Sequence, residues 1–186
     1  MTNSMNASMK KAISRYIQGK DHNKPNLLKQ AFAPHATLSM RVKSENISFP
    51  SNTRGLAAIT QLLVSDFNKQ YENIYTYCIT DTLREADQSL SCGWLVIMTE
   101  KATGKVRFGY GDYHWEFSSS GPHLLADRLE IIIDVMSVLD EGTKEPFLTW
   151  TEALPYPYLS LSELLSNSPA HEAVEALEAK LLVKKK

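Results

Sequence analysis

Tyr16-Ile-Gln-Gly-Lys-Asp21-His22-Asn-Lys-Pro25-Asn-Leu-Leu-Lys-Gln-Ala-Phe32-Ala-Pro34-His35-Ala-Thr-Leu38 changes character twice. Ala12, Ile13, Tyr16 and Ile17 recur at helical spacing, and Gly19 to Asn23 breaks the run, so a helix is predicted over residues 6–19. Pro25 suits the first turn of a second, short helix whose Leu27, Leu28, Ala31 and Phe32 face inward until Ala33-Pro34 stops it. Ala36 to Val42 then alternates as a strand does. Two helices feed a strand, and the junction between the helices carries an acid and a histidine. Chemistry is to be sought at that junction.

Further along, Asn46 to Phe49 continues the alternation, making with Ala36 to Val42 one strand or a small hairpin, and Pro50 to Gly55 is turn chemistry. Leu56, Ile59, Leu62, Leu63 and Phe67 lie on one face of a helix predicted over residues 56–69. From residue 71 the period becomes two. Ile74 to Ile79, Leu90 to Thr99, Val106 to Phe117 and Leu124 to Val135 read as adjacent antiparallel strands, separated by polar turns at residues 81–88, 100–105 and 118–122. Helices first and strands afterwards argue for an α+β fold, a curved antiparallel sheet with N-terminal helices, rather than a parallel α/β sheet.

After Asp140-Glu-Gly142, prolines 146, 155 and 157 punctuate a segment expected to be a surface extension without regular helix. Ser168 and Pro169 open a final helix with Val174, Leu177 and Leu181 on one face and Lys184 to Lys186 at its C-terminus. Residues 1–140 are expected to form the domain, and residues 141–186 a C-terminal extension ending in a helix.

Composition narrows the function classes. The 186 residues are 43% hydrophobic, enough for one core. Twenty Lys+Arg against 21 Asp+Glu leave a net charge of −1, without the basic footprint of a nucleic-acid binder. No run is long and apolar enough to span a membrane, and the two cysteines, Cys78 and Cys92, read as buried apolar residues of a reducing, cytoplasmic setting. Lys10, Lys11, Arg15 and Lys20 occur without an acid in the first 20 residues, as in a transit peptide, but the helical pattern favours a frayed tail before a helix. The five histidines have no short metal-ligand spacing, and no cofactor or metal is expected.

The order of these parts resembles the cone-shaped α+β fold of the nuclear transport factor 2-like superfamily, and its SnoaL-like members in particular, over about residues 8–137. The resemblance is carried by Tyr16 to Leu38, by Arg54-Gly55-Leu-Ala-Ala-Ile59, and by Gly111-Asp-Tyr-His-Trp-Glu-Phe117 followed by Leu125-Ala-Asp-Arg128-Leu. It implies a homodimer and a cone cavity for a small hydrophobic or aromatic molecule. It also implies cofactor-independent lyase (dehydratase) or isomerase chemistry by proton transfer, the alternative being a non-catalytic binding or dimerisation module. Asp21 matches the substrate-binding aspartate of scytalone dehydratase, and Tyr16 the oxyanion-hole tyrosine of ketosteroid isomerase. Met40 stands where those enzymes carry a catalytic tyrosine or aspartate, and Tyr75 or Tyr77 where dehydratases carry a histidine. Asp112 falls near polar pocket residues of both.

These residues form the candidate site. Asp21 and His114 would shuttle a proton, Tyr16 would stabilise developing oxygen charge, and Asp112 would orient His114. Tyr75, Tyr77, Met40, Trp115 and Asp127 would contact substrate. Competing structural readings are a capping role for Asp21 and a core role for Tyr16. On the strand through residue 114, Tyr110, Asp112, His114 and Glu116 share one face and Tyr113, Trp115 and Phe117 the other. Only one face looks into the cone, and the register of the superfamily favours the polar one. Asp127 shares a face with Leu125, Leu129, Ile131 and Ile133, a charge that needs a partner: a salt bridge or a place near the strand end where it reaches water, or a role as a pocket carboxylate.

Overall fold

The computed structural model describes residues 2–184. Lys185 and Lys186, expected at the C-terminus of the last helix, lie outside the described residues.

The first helix, α1, runs Thr2–Asp21, starting before the expected residue 6 and ending two residues past the expected end at residue 19. Gly19 is inside it because Leu28 packs there, and a Cβ at residue 19 would meet the Leu28 Cδ1 atom at 2.6 Å. The second helix is a 3₁₀ turn, Pro25–Gln30, and β1, Phe32–Val42, begins four residues earlier than expected. Residues 46–49 form no strand; Ile47 and Phe49 instead lie part-buried against the core from a loop, and a short β2, Asn52–Arg54, follows. The helix predicted over residues 56–69 is observed as α2 (Leu56–Thr60), a π segment (Gln61–Asp66) and α3 (Phe67–Gln70).

Strands β3 (Tyr71–Ala86), β4 (Ser89–Glu100), β5 (Val106–Ser120) and β6 (His123–Val138) form the expected antiparallel meander. They are longer than predicted, so the polar stretches at residues 81–88 and 118–122 are mostly strand ends with tight turns. Strand β1 joins parallel to β6, and the unclosed sheet has the order β2-β1-β6-β5-β4-β3-β7, where β7 is Tyr158–Leu159.

One core lies between the inner face of the curved sheet and the helices, with Tyr16, Phe32, Ile59, Leu63, Tyr113 and Trp115 among its members. The segment after residue 140 is more than a surface extension. It contains α4 (Lys144–Ala153), α5 (Leu161–Leu165, opened by a Ser160 and Glu163 capping box) and α6 (Glu172–Lys184). The prolines stand at α4's first turn and in the link after it, where they do not interrupt helical hydrogen bonds. Phe147, Trp150, Leu161, Leu164, Val174, Leu177 and Leu181 form a second core against Tyr77, Ile79, Leu95, Ile97, Phe108 and Tyr110 on the outer face of β3, β4 and β5. The face predicted for the last helix is the one it buries.

Two bulges in β6 overturn the unbroken alternation assumed for that strand. The pairing skips Asp134 between Tyr110 and Gly111, and skips Asp127 between Glu116 and Phe117. A skipped residue inverts the parity of the strand, so Leu124 and Ala126 face inward before the break and Leu129, Ile131 and Ile133 after it. Asp127 is thereby outside the apolar face rather than buried in it. It meets the His35 imidazole at 3.0 Å near the surface.

Candidate functional site

The aromatic face of β5 looks into the cone, correcting the expectation drawn from the superfamily register. Tyr113 and Trp115 are buried against Tyr16, with ring centroids at 6.0 and 5.4 Å. His114 and Glu116 are exposed on the outer face, and Asp112 there pairs with Lys184 of α6. Asp21 and His114 therefore sit on opposite faces of a packed sheet and share no proton path. Tyr75 and Tyr77 also face outward, and the Tyr77 hydroxyl donates to the Thr151 carbonyl at 2.9 Å. Of the nine residues named from sequence, Tyr16 and Met40 line the cone cavity, and Asp21 and Trp115 stand behind its wall.

Asp21 is 7% exposed and accepts from four donors. The Thr76 backbone N–H reaches Oδ2 at 2.7 Å and the Tyr156 hydroxyl reaches the same oxygen at 2.9 Å. Oδ1 accepts from the Thr76 hydroxyl at 2.8 Å and from Lys20 Nζ at 2.7 Å. So bound, the carboxylate is a structural anchor that ties α1 to β3 and to the link before β7. Lys20, counted in sequence only as part of a basic run, is the cation that reaches the cavity. Its ammonium also donates to Thr76 Oγ1 at 2.6 Å and lies 5.0 Å from the centre of the Phe67 ring. With two acceptors named for three N–H groups, it retains one for a ligand.

The cavity is almost wholly apolar, lined by Tyr16, Met40, Leu63, Phe67, Trp94, Tyr113, Ile131 and Met136, with Lys20 and Thr76, and with Ile47 and Phe49 from the loop before β2. Its volume is about 40 Å³. The Trp94 indole stacks on Tyr113, and its buried N–H has no partner among the described residues. Sequence reasoning missed Thr76 and Trp94. The inward parity of β3 passes through Thr76 and Cys78, between the conspicuous tyrosines. Cys78 and Cys92 are both buried, and the Cys78 thiol is pushed up by its hydrogen bond to Cys92 and by burial.

Burial raises the hydroxyls of Tyr16, Tyr77, Tyr113, Tyr156 and Tyr158 well above the ordinary value of 10.0, and the negative charge of Asp21 adds to the effect at Tyr156. The folded state keeps these groups neutral while the unfolded chain ionises them. Their stabilisation is thus complete below pH 10.0 and is lost as pH rises beyond it. An alkaline titration read by tyrosinate absorbance should show them ionising only together with unfolding; gradual ionisation of the folded protein near the ordinary value would contradict this.

Among the described residues, no three His, Cys, Asp or Glu side chains gather as metal ligands, and no helix is long and apolar enough to cross a membrane. No family model and no curated protein matches the sequence. Solved structures do match. Hexachlorocyclohexane dehydrochlorinase (LinA) type 2 aligns at TM-score 0.63 and 13% identity over 75% of this chain and 92% of that one. The type 3 enzyme from Novosphingobium barchaimii aligns at TM-score 0.60 and 12% identity, over 75% and 93%. A nuclear transport factor 2-like superfamily protein from Salmonella enterica aligns at TM-score 0.55 and 14% identity, over 78% and 99%. At these identities the likeness speaks for the backbone alone, and it agrees with the unclosed, curved sheet around α1: the chain has the nuclear transport factor 2-like, SnoaL-like fold.

Proposed function

We propose that this protein binds a small hydrophobic or aromatic molecule in its cone, with one oxygen of the ligand held at Lys20. The observation that carries the reading is an apolar cavity whose wall holds a buried ammonium, anchored by Asp21 and Thr76, and an indole N–H without a partner among the described residues. Both are donors, so a carboxylate or carbonyl oxygen is the complement, and a ring fits the aromatic and aliphatic walls.

At about 40 Å³ the cavity holds a water-sized group rather than a ring. Entry of a ligand would displace the loop of residues 43–51, which contributes Ile47 and Phe49 to the wall. Binding is favoured over lyase or isomerase catalysis because the groups expected to move a proton do not converge. Asp21 has all its acceptor sites engaged, and His114 is on the other side of the sheet.

The homodimer belongs to the same proposal. With α4 to α6 over the outer face of β3 to β5, a second copy would meet β1, β2 and β6.

Benzoate is the probe. Titration should quench Trp94 fluorescence, and both Lys20→Met and Trp94→Phe should weaken binding about tenfold, as loss of a hydrogen bond to a charged group does. Trp94→Phe should keep the parent's urea midpoint, since it removes an unsatisfied donor. Benzoate affinity indifferent to both substitutions would overturn the reading.

A further inference from the structure

The basic run of α1 is not consumed by the cone. Lys11 and Arg15, one turn apart on α1, line a surface pocket of about 320 Å³ together with Lys29 of the 3₁₀ turn and His123 at the β5–β6 turn. No residue of this pocket is shared with the cone cavity. None of Lys11, Arg15 and Lys29 has an acidic partner among the described residues, although nine other lysines and arginines do. Among the described residues the Arg15 guanidinium reaches only Gln18, through NH1 at 3.4 Å, and its buried Nε–H has no partner there. Ser8 Oγ accepts from the Leu124 backbone N–H at 3.3 Å, which leaves its own proton to donate.

We propose that this pocket binds a small organic phosphate. Three permanent cations from two elements, with no compensating acid, match a dianion better than a single carboxylate. A buried guanidinium N–H is a donor that phosphate oxygens satisfy with charge-assisted bonds. The pocket exceeds the size of a bare phosphate, and Ala12, Leu124 and Leu125 supply an apolar wall for the organic part. The phosphate group would sit between Arg15 and Lys29, with Lys11 and His123 at the rim.

The test is an amide chemical-shift titration of the full chain at constant ionic strength, with inorganic phosphate and phenyl phosphate as probes and chloride as the control. Both phosphates should shift resonances at residues 29–30 and 120–125, phenyl phosphate the more tightly, while chloride leaves them in place. Arg15→Gln should weaken phenyl phosphate about tenfold, and the surface changes Lys11→Gln and Lys29→Gln by several-fold each, whereas Lys24→Gln, outside the pocket, should have no effect. Lys11 and Lys29 are exposed, so their variants report on the site even if Arg15→Gln perturbs folding. Equal shifts with chloride, or affinity unchanged in both lysine variants, would overturn the assignment. Neither result bears on benzoate binding in the cone.

Discussion

Asp21→Ala should lower the urea midpoint sharply, with a loss of about 3–5 kcal/mol, because it removes one partner of a buried ion pair. The substitution strips the acceptor from four donors at once: the Lys20 ammonium, the Thr76 N–H, the Thr76 hydroxyl and the Tyr156 hydroxyl. Lys20 is 6% exposed and would then be a buried cation with the Thr76 hydroxyl as its remaining named acceptor. Lys20→Met should cost less, about 1–3 kcal/mol, because Asp21 keeps three hydrogen bonds and the methionine fills much of the space. The order of the two losses is the diagnostic. If Lys20→Met destabilises as much as Asp21→Ala, the carboxylate is not the hub of the network. An Asp21→Ala variant as stable as the parent would show that the anchor does not exist, and with it the reason Lys20 is held at the cavity.

The helices and strands were legible because their periods are local properties. The stripe Leu56, Ile59, Leu63 and Phe67, the alternation through β3 to β6, and the buried face of α6 each need only the spacing of apolar residues to be recognised. The choice of face was not local. Along β5 the parity of Asp112, His114 and Glu116 against Tyr113, Trp115 and Phe117 was right, but what lies opposite each face depends on distant segments. Tyr16 and Phe32 claim the aromatic side, and the extension claims Phe108 and Tyr110 on the other.

Asp127 was misplaced for a related reason. A bulge adds one residue without a composition signal, and nothing in Leu125 to Ile133 announces it. Lys20 was hidden by its neighbour: an acid beside a lysine at a helix end ordinarily reads as two solvated charges, and only the approach of Thr76 makes them a buried pair. Tyr156, in a proline-punctuated stretch with little periodicity, carried no signal at all for its bond to Asp21.

A chain ending at residue 140 should aggregate. The truncation uncovers Tyr77, Ile79, Leu95, Ile97, Phe108 and Tyr110, which form a continuous apolar patch on β3 to β5. At roughly 1.5–3 kcal/mol for each large side chain returned to water, the loss is about 10 kcal/mol, comparable to the whole stability of a domain. It also removes Tyr156 from Asp21 and the Thr151 carbonyl from Tyr77, leaving a buried carboxylate one donor short. Exposed sheet of this kind finds another copy of itself, so light scattering should show association of the truncated chain, with dye-accessible apolar surface. The same measurement on the full chain reads whether it is itself a dimer. Trp150→Ala is the milder test, since its ring packs in that second core and its N–H donates to the Leu164 carbonyl at 3.1 Å; about 3–5 kcal/mol should be lost. A truncated chain with the parent's oligomeric state and urea midpoint would mean that the outer face tolerates water and that α4 to α6 are an appendage. If it associates, those helices are part of the fold, and the outer face of the meander exists as a stable surface only because the chain covers it.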